Sequence, residues 1–242
     1  MTGQRFDRLD ALRAVAIVWM ALFHLGFDLN HFGWLQPRQN FHSDPFWTVQ
    51  RTCIVTLFLF TAGLSQAVAL QAGQGWRAFW RRWGQIAACA LLVSLGSAWM
   101  FPKSWIFFGV LHGIAVMLVL LRLAALAMPR ASWPLWLGGA LALAAPRLFS
   151  APVFDSPWLQ WTGLVTRLPI TEDYVPVLPW LGVMLWGLAA GRWLLAHRPT
   201  LLAGPLPRPA QPLAVLGRWS LSFYMLHQPV FIGALLAVQA LR

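Results

Sequence analysis

The run "LRAVAIVWMALFH" (Leu12–His24) is apolar except near its two ends, where Arg13 and His24 stand eleven residues apart. With its flanks it supplies the roughly 20 residues that a helix needs to cross a bilayer. A lipid-facing helix rarely carries an ionisable side chain, and one that does is by default a functional candidate. The same stretch therefore sets the fold class and poses the functional question.

The rest of the chain agrees with a membrane reading. Its 242 residues are 59% hydrophobic and only 10% charged, against about 25% charged in an ordinary soluble domain. The sixteen tryptophans suit the water–lipid boundary. The composition predicts an all-α integral membrane protein, a polytopic helical bundle forming a single transmembrane domain over residues 1–242. A net charge of +11, with Lys103 the only lysine, points to topology, anionic headgroups or the phosphates of a cofactor. Nucleic acid is not an expected partner, because no basic stripe is interleaved with exposed aromatics. Cys53 and Cys89 fall in apolar segments, which argues against a disulfide. The start "MTGQRFDRLD" is too polar for a signal peptide, so the first apolar run is expected to stay as an anchor.

Hydropathy places about seven transmembrane helices, near 9–28, 50–71, 84–101, 105–128, 133–150, 176–196 and 218–240. The fifth carries Pro146 and Arg147. The stretch 198–213 is Pro-rich and reads as an extended linker. With the N-terminus cytosolic, twelve basic residues face the cytosol: Arg5, Arg8, Arg13, Arg77, Arg81, Arg82, Arg122, Arg130, Arg192, Arg198, Arg208 and Arg218. Six face outward: Arg38, Arg51, Lys103, Arg147, Arg167 and Arg242. That two-to-one bias favours the orientation. The cluster "RAFWRRW" (Arg77–Trp83) reads as a cytosolic loop, and 29–49 and 151–175 as long outer segments.

Eleven residues of helix rise about 16 Å, so Arg13 lies near the cytosolic boundary and His24 in the outer half. Asp28 follows one turn later on the same face. His112 enters about seven residues from the outer side and His227 about nine from the inner side, with Tyr224 and Gln228 beside it. Three histidines thus share a depth. A lone buried histidine is often a neutral pin between helices, and that reading weighs evenly for His112 and His227. For His24 the carboxylate one turn on favours function, since it can orient an imidazole. Neutral imidazole is the form that acts as base or nucleophile.

Arg13 reads either as a snorkelling anchor or as a phosphate or carboxylate ligand. Glu172 and Asp173 precede a span, where acids ordinarily favour the helix dipole; they also suit a cationic amine. No phosphate-binding glycine loop and no metal-spaced Cys/His cluster is present, so no metal is expected. Gly63 and Ser65 in "TAGLS" read as close helix packing.

Five ordered stretches carry a family resemblance: "RLDALRAVAIVWMALFHLGFDLNHFG", "TLFLFTAGLS", "FGVLHGIAV", "DYVPVLPWLGVMLWG" and "LGRWSLSFYMLHQPV". Over residues 8 to about 231 the chain resembles bacterial relatives of heparan-α-glucosaminide N-acetyltransferase, within a wider group of transmembrane acyltransferases that includes the acyltransferase 3 family. The resemblance implies transfer of an acyl group, usually acetyl, from cytosolic acyl-CoA to a sugar amine or hydroxyl on the far side. In acyltransferase 3 proteins the first helix carries an Arg and, eleven residues on, a catalytic His, a spacing matched by Arg13 and His24. In the heparan-acetyltransferase branch the acylated His follows that helix, which makes His31 and His42 rivals to His24.

The expectation is then a bacterial inner-membrane acyltransferase with acetyl-CoA as donor and a sugar or glycan as acceptor; a homodimer is compatible with it. His24 and Asp28 form the catalytic pair. Arg13, Arg81, Arg82 and Arg218 meet the CoA phosphates. His31, His112, Asp173, Tyr224 and His227 meet the acceptor. The alternative is a transporter or proton relay built on the same histidines, although the absence of an internal repeat weighs against it. A structural subunit indifferent to His24 is a third reading.

Overall fold

A computed structural model describes residues 6–129 and 131–241. Arg5, Arg130 and Arg242, which entered the charge count, lie outside the described residues. Among the described residues nine α-helices follow in order: α1 (Asp7–His31), α2 (Pro45–Gln71), α3 (Trp76–Met100), α4 (Val110–Ala127), α5 (Trp133–Leu148), α6 (Val177–His197), α7 (Thr200–Ala203), α8 (Gln211–Arg218) and α9 (Ser220–Ala240). Six of them, α1–α4, α6 and α9, are long and apolar enough to cross a membrane. The 16 residues of α5 rise about 24 Å, short of a hydrocarbon core about 30 Å thick. The protein is a polytopic helical membrane protein.

The chain forms two compact units. The first holds the residues up to Phe58 and those from Thr200 onward; the second is Leu59–Pro199. Helix α2 contributes its first half to one and its second half to the other.

In the first unit α1 packs against α7, α8 and α9. Its buried face is made of small and branched residues, with Ala14, Ala16 and Ile17 fully enclosed. Asp7 and Asp10 in its first turn and His31 in its last complement the helix dipole. The helix stops at Gly33, whose φ of +77° is left-handed and suits glycine. There Trp34 N–H donates to Leu29 O (2.8 Å) and Gly33 N–H to Asn30 O (3.1 Å), a glycine-terminated cap. Asp44 starts α2 five residues earlier than hydropathy predicts. Its carboxylate accepts the Phe46 N–H at 2.8 Å, and Pro45 follows at the position where a missing N–H costs nothing. The expected linker 198–213 is not extended: α7, a 3-10 turn at Arg208–Ala210 and α8 divide it, with Pro212 in the first turn of α8.

In the second unit α6 packs against α4 and α5. Close approach explains the glycines. A Cβ at Gly63 would meet the Met184 carbonyl, one at Gly187 would meet Phe60 O, and one at Gly182 would meet Gly139 O. The packing role read for Gly63 is therefore what the structure shows. The cluster "RAFWRRW" is not a loop. It forms the opening turns of α3, with Phe79 buried and Arg77, Arg81 and Arg82 exposed, because long basic side chains let a helix continue beyond its apolar run. Helix α4 begins five residues later than predicted. Residues 104–108 instead run beside 172–175, joined by Glu172 N–H to Ser104 O (2.8 Å), Val175 N–H to Phe108 O (3.2 Å) and a parallel bridge between Phe108 and Tyr174.

Large apolar side chains remain exposed on α3 (Leu91, Leu95, Trp99) and α9 (Leu226, Val230, Leu236). Outside a bilayer such surfaces would drive aggregation; inside one they meet acyl chains. At Gly187 a larger side chain has nowhere to go. Gly187→Leu is expected to destabilise the second unit by about 1–3 kcal/mol or more, read as a lower temperature for loss of the monodisperse species in detergent.

The segment before α6 carries its own polar network. Asp155 accepts the Thr166 hydroxyl and the backbone N–H groups of Thr166 (2.7 Å) and Arg167 (3.3 Å), and these bonds hold its carboxyl below the ordinary range. The Tyr174 hydroxyl donates to Gln160 O at 2.6 Å. Burial, reinforced by the Asp155 charge, pushes that phenol up to about 12. Since the folded value exceeds the ordinary value near 10, this contribution to stability is complete below pH ~10 and is lost as pH rises from there toward 12. The chain has two tyrosines. A phenolate absorbance titration is expected to show a late step near pH 12 that Tyr174→Phe removes.

Candidate active site

The residues expected to do chemistry separate between the units. In the first, α1 and α9 bring His24 and His227 into hydrogen-bond contact, Nδ1 to Nε2 at 2.8 Å. Their rings lie 5.1 Å apart at 15°. His227 is 6% exposed and is surrounded by Phe223, Tyr224 and Phe231. Its Nδ1 lies 2.6 Å from the Tyr224 carbonyl oxygen. A carbonyl only accepts, so His227 Nδ1 carries a hydrogen. With both rings neutral, His227 Nε2 then accepts from His24 Nδ1–H. The remaining His24 nitrogen, Nε2, holds a lone pair. This directed chain, from His24 through His227 to a backbone carbonyl, leaves one imidazole nitrogen with the lone pair that a nucleophile or base requires.

Asp28, expected to pair with His24, has a different neighbour. Asp28 accepts from Gln228 Nε2 at 3.2 Å and makes no hydrogen bond to His24. The group that orients His24 is His227, which presents its ring nitrogen from α9, whereas Asp28 turns toward the next residue of that helix. Gln228 is the neighbour whose part was not assigned from sequence; the string "HQ" gives a pair of polar residues but not which α1 residue each one meets.

Beyond His24 the end of α1 opens into a cavity of about 550 Å³ that includes Phe27, Asn30, His31 and, from the following loop, Arg38 and His42. The rings of His31 and His42 lie 6.4 and 6.3 Å from that of Phe27. Asn30 clamps the loop: its Nδ2 donates to Gln39 O (2.9 Å) and its Oδ1 accepts Gln39 N–H (2.7 Å). At the opposite end of α1, Arg13 pairs with Asp10 at 2.5 Å, and Arg218 reaches Asp7 at 3.2 Å and Asp10 at 3.9 Å. Two of the four arginines expected at phosphates, Arg13 and Arg218, thus already have carboxylate partners. The Tyr224 side chain sits 6.3 Å, ring to ring, from Phe58.

The second unit holds Arg81, Arg82, His112 and Asp173. Arg82 donates to Gln85 Oε1 at 3.1 Å. His112 and Asp173 build the start of α4. Asp173 Oδ2 accepts the Val110 N–H at 2.7 Å, and His112 Nδ1 accepts the Gly109 N–H at 3.2 Å. The Ser94 hydroxyl donates to Ile106 O (2.7 Å), so His112 Nε2–H donates to Ser94 Oγ (3.0 Å). Both ring nitrogens are committed within the unit. In this geometry His112 caps the start of α4. Asp173 does stabilise a helix start, but that of α4 and not of the helix it precedes in sequence.

The protein is thus a helical membrane protein in which two imidazoles meet between α1 and α9. The profile of the heparan-alpha-glucosaminide N-acetyltransferase catalytic domain matches residues 5–229, and the chain belongs to this family. It is a membrane acetyltransferase of a family whose donor is acetyl-CoA. Neither a curated protein nor a solved structure matches the chain.

Loss of the α4 cap has a measurable cost. Asp173→Ala is expected to lower stability by about 1 kcal/mol, and Asp173→Asn, which keeps an oxygen acceptor, by less; thermal inactivation in detergent reads the difference.

Proposed function

We propose that the protein takes an acetyl group from acetyl-CoA bound on the cytosolic side of a bacterial inner membrane and passes it to a sugar amine or hydroxyl on the periplasmic side. The whole chain acts as one catalytic domain with its N-terminus in the cytosol. The observation that carries this reading is the His24–His227–Tyr224 carbonyl chain, which, with both rings neutral, leaves His24 Nε2 as an unprotonated nitrogen.

Two routes use that nitrogen. In the first, Nε2 attacks the thioester carbonyl: an N–C bond forms, the C–S bond breaks and CoA leaves as thiolate, while the Nδ1 proton shifts toward His227 as the imidazole loses its lone pair. The acceptor then attacks the acyl-imidazole, the N–C bond breaks, His227 gives the Nδ1 proton back to His24, and the acceptor's proton passes to the CoA thiolate, which leaves as thiol. In the second, Nε2 removes the acceptor's proton as it attacks the thioester directly, and CoA leaves as the thiol. Arg81 and Arg82, exposed on α3, offer donors to the CoA phosphates. Arg13 and Arg218 do so only by sharing with Asp10 and Asp7. His31 and Tyr224 lie on the acceptor's side, and Asp28 supports α9 through Gln228.

Release of CoA thiol from acetyl-CoA with a panel of amino sugars tests the reading. His24→Ala is expected to reduce acceptor-dependent release by about 10²–10⁴-fold. Release that survives in the variant moves the chemistry to His31 or His42. No release from the wild-type protein with any acceptor, and no binding of acetyl-CoA, overturns it.

A further inference from the structure

Helix α8 is apolar on two sides, and only one of them is covered by protein. Ala214 and Gly217 are buried, and α8 lies so close to α1 that a Cβ at Gly217 would meet the main chain of Asp10. On the opposite side Pro212, Val215, Leu216 and Trp219 follow the i, i+3, i+4, i+7 spacing of a helical stripe. With Arg208 and Gln211 they line an open groove of about 580 Å³. Val215 is 50% exposed and Trp219 65%. Facing water, such a stripe would be an aggregation hazard.

The place of the groove in the fold indicates what covers it. Arg218 ends α8 and Ser220 begins α9, a helix long and apolar enough to cross a membrane. Trp219 stands between the two, and exposed apolar side chains continue along α9 at Leu226 and Val230. The groove is therefore continuous with the surface that meets lipid, at the level where a span begins. Tryptophan favours that level, and amphipathic helices lie in it with their apolar face toward the acyl chains.

Charge narrows the occupant further. No Asp or Glu occurs from Thr200 to the C-terminus. Asp7 and Asp10, at the adjoining start of α1, are engaged by Arg218 and Arg13. The Arg208 guanidinium makes no hydrogen bond or ion pair with any described residue. It places an uncompensated positive charge at the rim of an apolar groove, with a planar set of donors suited to a phosphate. A ligand with one anionic head and an apolar body matches both parts.

We propose that the α8 groove binds an anionic phospholipid, its phosphodiester on Arg208 and its acyl chains along Val215, Leu216 and Trp219. The lipid covers the outer side of α8 while the inner side holds α1. Its assignment to the cytosolic leaflet rests on the orientation given under the proposed function; the binding does not.

The test uses the full-length protein in neutral detergent, with dioleoylphosphatidylglycerol or dioleoylphosphatidylcholine added and bound lipid measured by native mass spectrometry. The tightest site is expected to prefer the anionic lipid about fivefold, which corresponds to about 1 kcal/mol for one basic residue. Arg208→Lys is expected to keep the preference and Arg208→Gln to erase it. Arg51→Gln, which removes an exposed charge from α2, is expected to leave it unchanged. Equal binding of the two lipids, retention of neither, or a preference that survives Arg208→Gln overturns the proposal. Glycerol 3-phosphate binding as tightly as the lipid assigns the groove to a free phosphate, and displacement of the lipid by acetyl-CoA assigns it to the acyl donor; either result also overturns it. CoA release does not enter the readout, so this proposal and the acetyltransferase reading fail separately.

Discussion

A hydrocarbon core offers no hydrogen-bond partners, so every polar group carried into it must find one within the protein. That constraint accounts for the pairings along these helices. His24 is bonded to His227 and Asp28 to Gln228. Arg192 turns its guanidinium onto Met128 O (2.6 Å) and Ala125 O (2.8 Å), main-chain acceptors that the end of α4 leaves unpaired. Arg122, 4% exposed, bonds to Gln74 O and lies over the rings of Trp76 and Phe79 at 5.2 and 5.5 Å, where aromatic faces favour a cation. Stability and chemistry draw on the same side chains, and their partners separate the two uses. A group bonded at every polar atom, such as His112, is committed to structure. A group left with one lone pair, as His24 is, remains available for reaction.

Much of the fold was legible because apolar runs about 20 residues long have few alternatives in water or lipid. The errors fall where charge and local geometry compete with hydropathy. Asp44 and Pro45 extend α2 backwards through a cap, and the exposed arginines of α3 belong to its opening turns. Residues 104–108 resemble a helix start in composition but are held by hydrogen bonds to a segment sixty-odd positions away, which no local pattern reveals. The 198–213 stretch contains prolines at positions compatible with short helices, so proline content alone misdirects there.

The candidate site was legible as depth and not as contact. Counting residues put His24 and His227 at similar levels, but the rotation of α1 against α9 decides whether they touch. It also decides that Asp28 faces Gln228 instead of His24. The same limit explains His112 and Asp173. Both were recognised as unusual polar residues, yet their bonds converge on the backbone around Gly109, whose Cβ would meet the Asp173 carboxylate. The cavity around Arg38 gave a weaker signal still. "NHFGWLQPRQNFH" is rich in amides, imidazoles and aromatics, and only the folded loop brings them to one cavity.

The imidazole chain ends on the main-chain oxygen of residue 224. A peptide carbonyl is present whatever side chain occupies that position, so drift at 224 cannot delete the final acceptor. What fixes the direction of the chain is the register of α9: the interval of three residues between 224 and 227 and the rotation that aims His227 at α1. Pro229, just beyond, cannot donate to Met225 O and biases the local helix geometry. The polarity of the site is thereby written into backbone spacing, which tolerates substitution but not the insertion or loss of a single residue between Trp219 and Pro229.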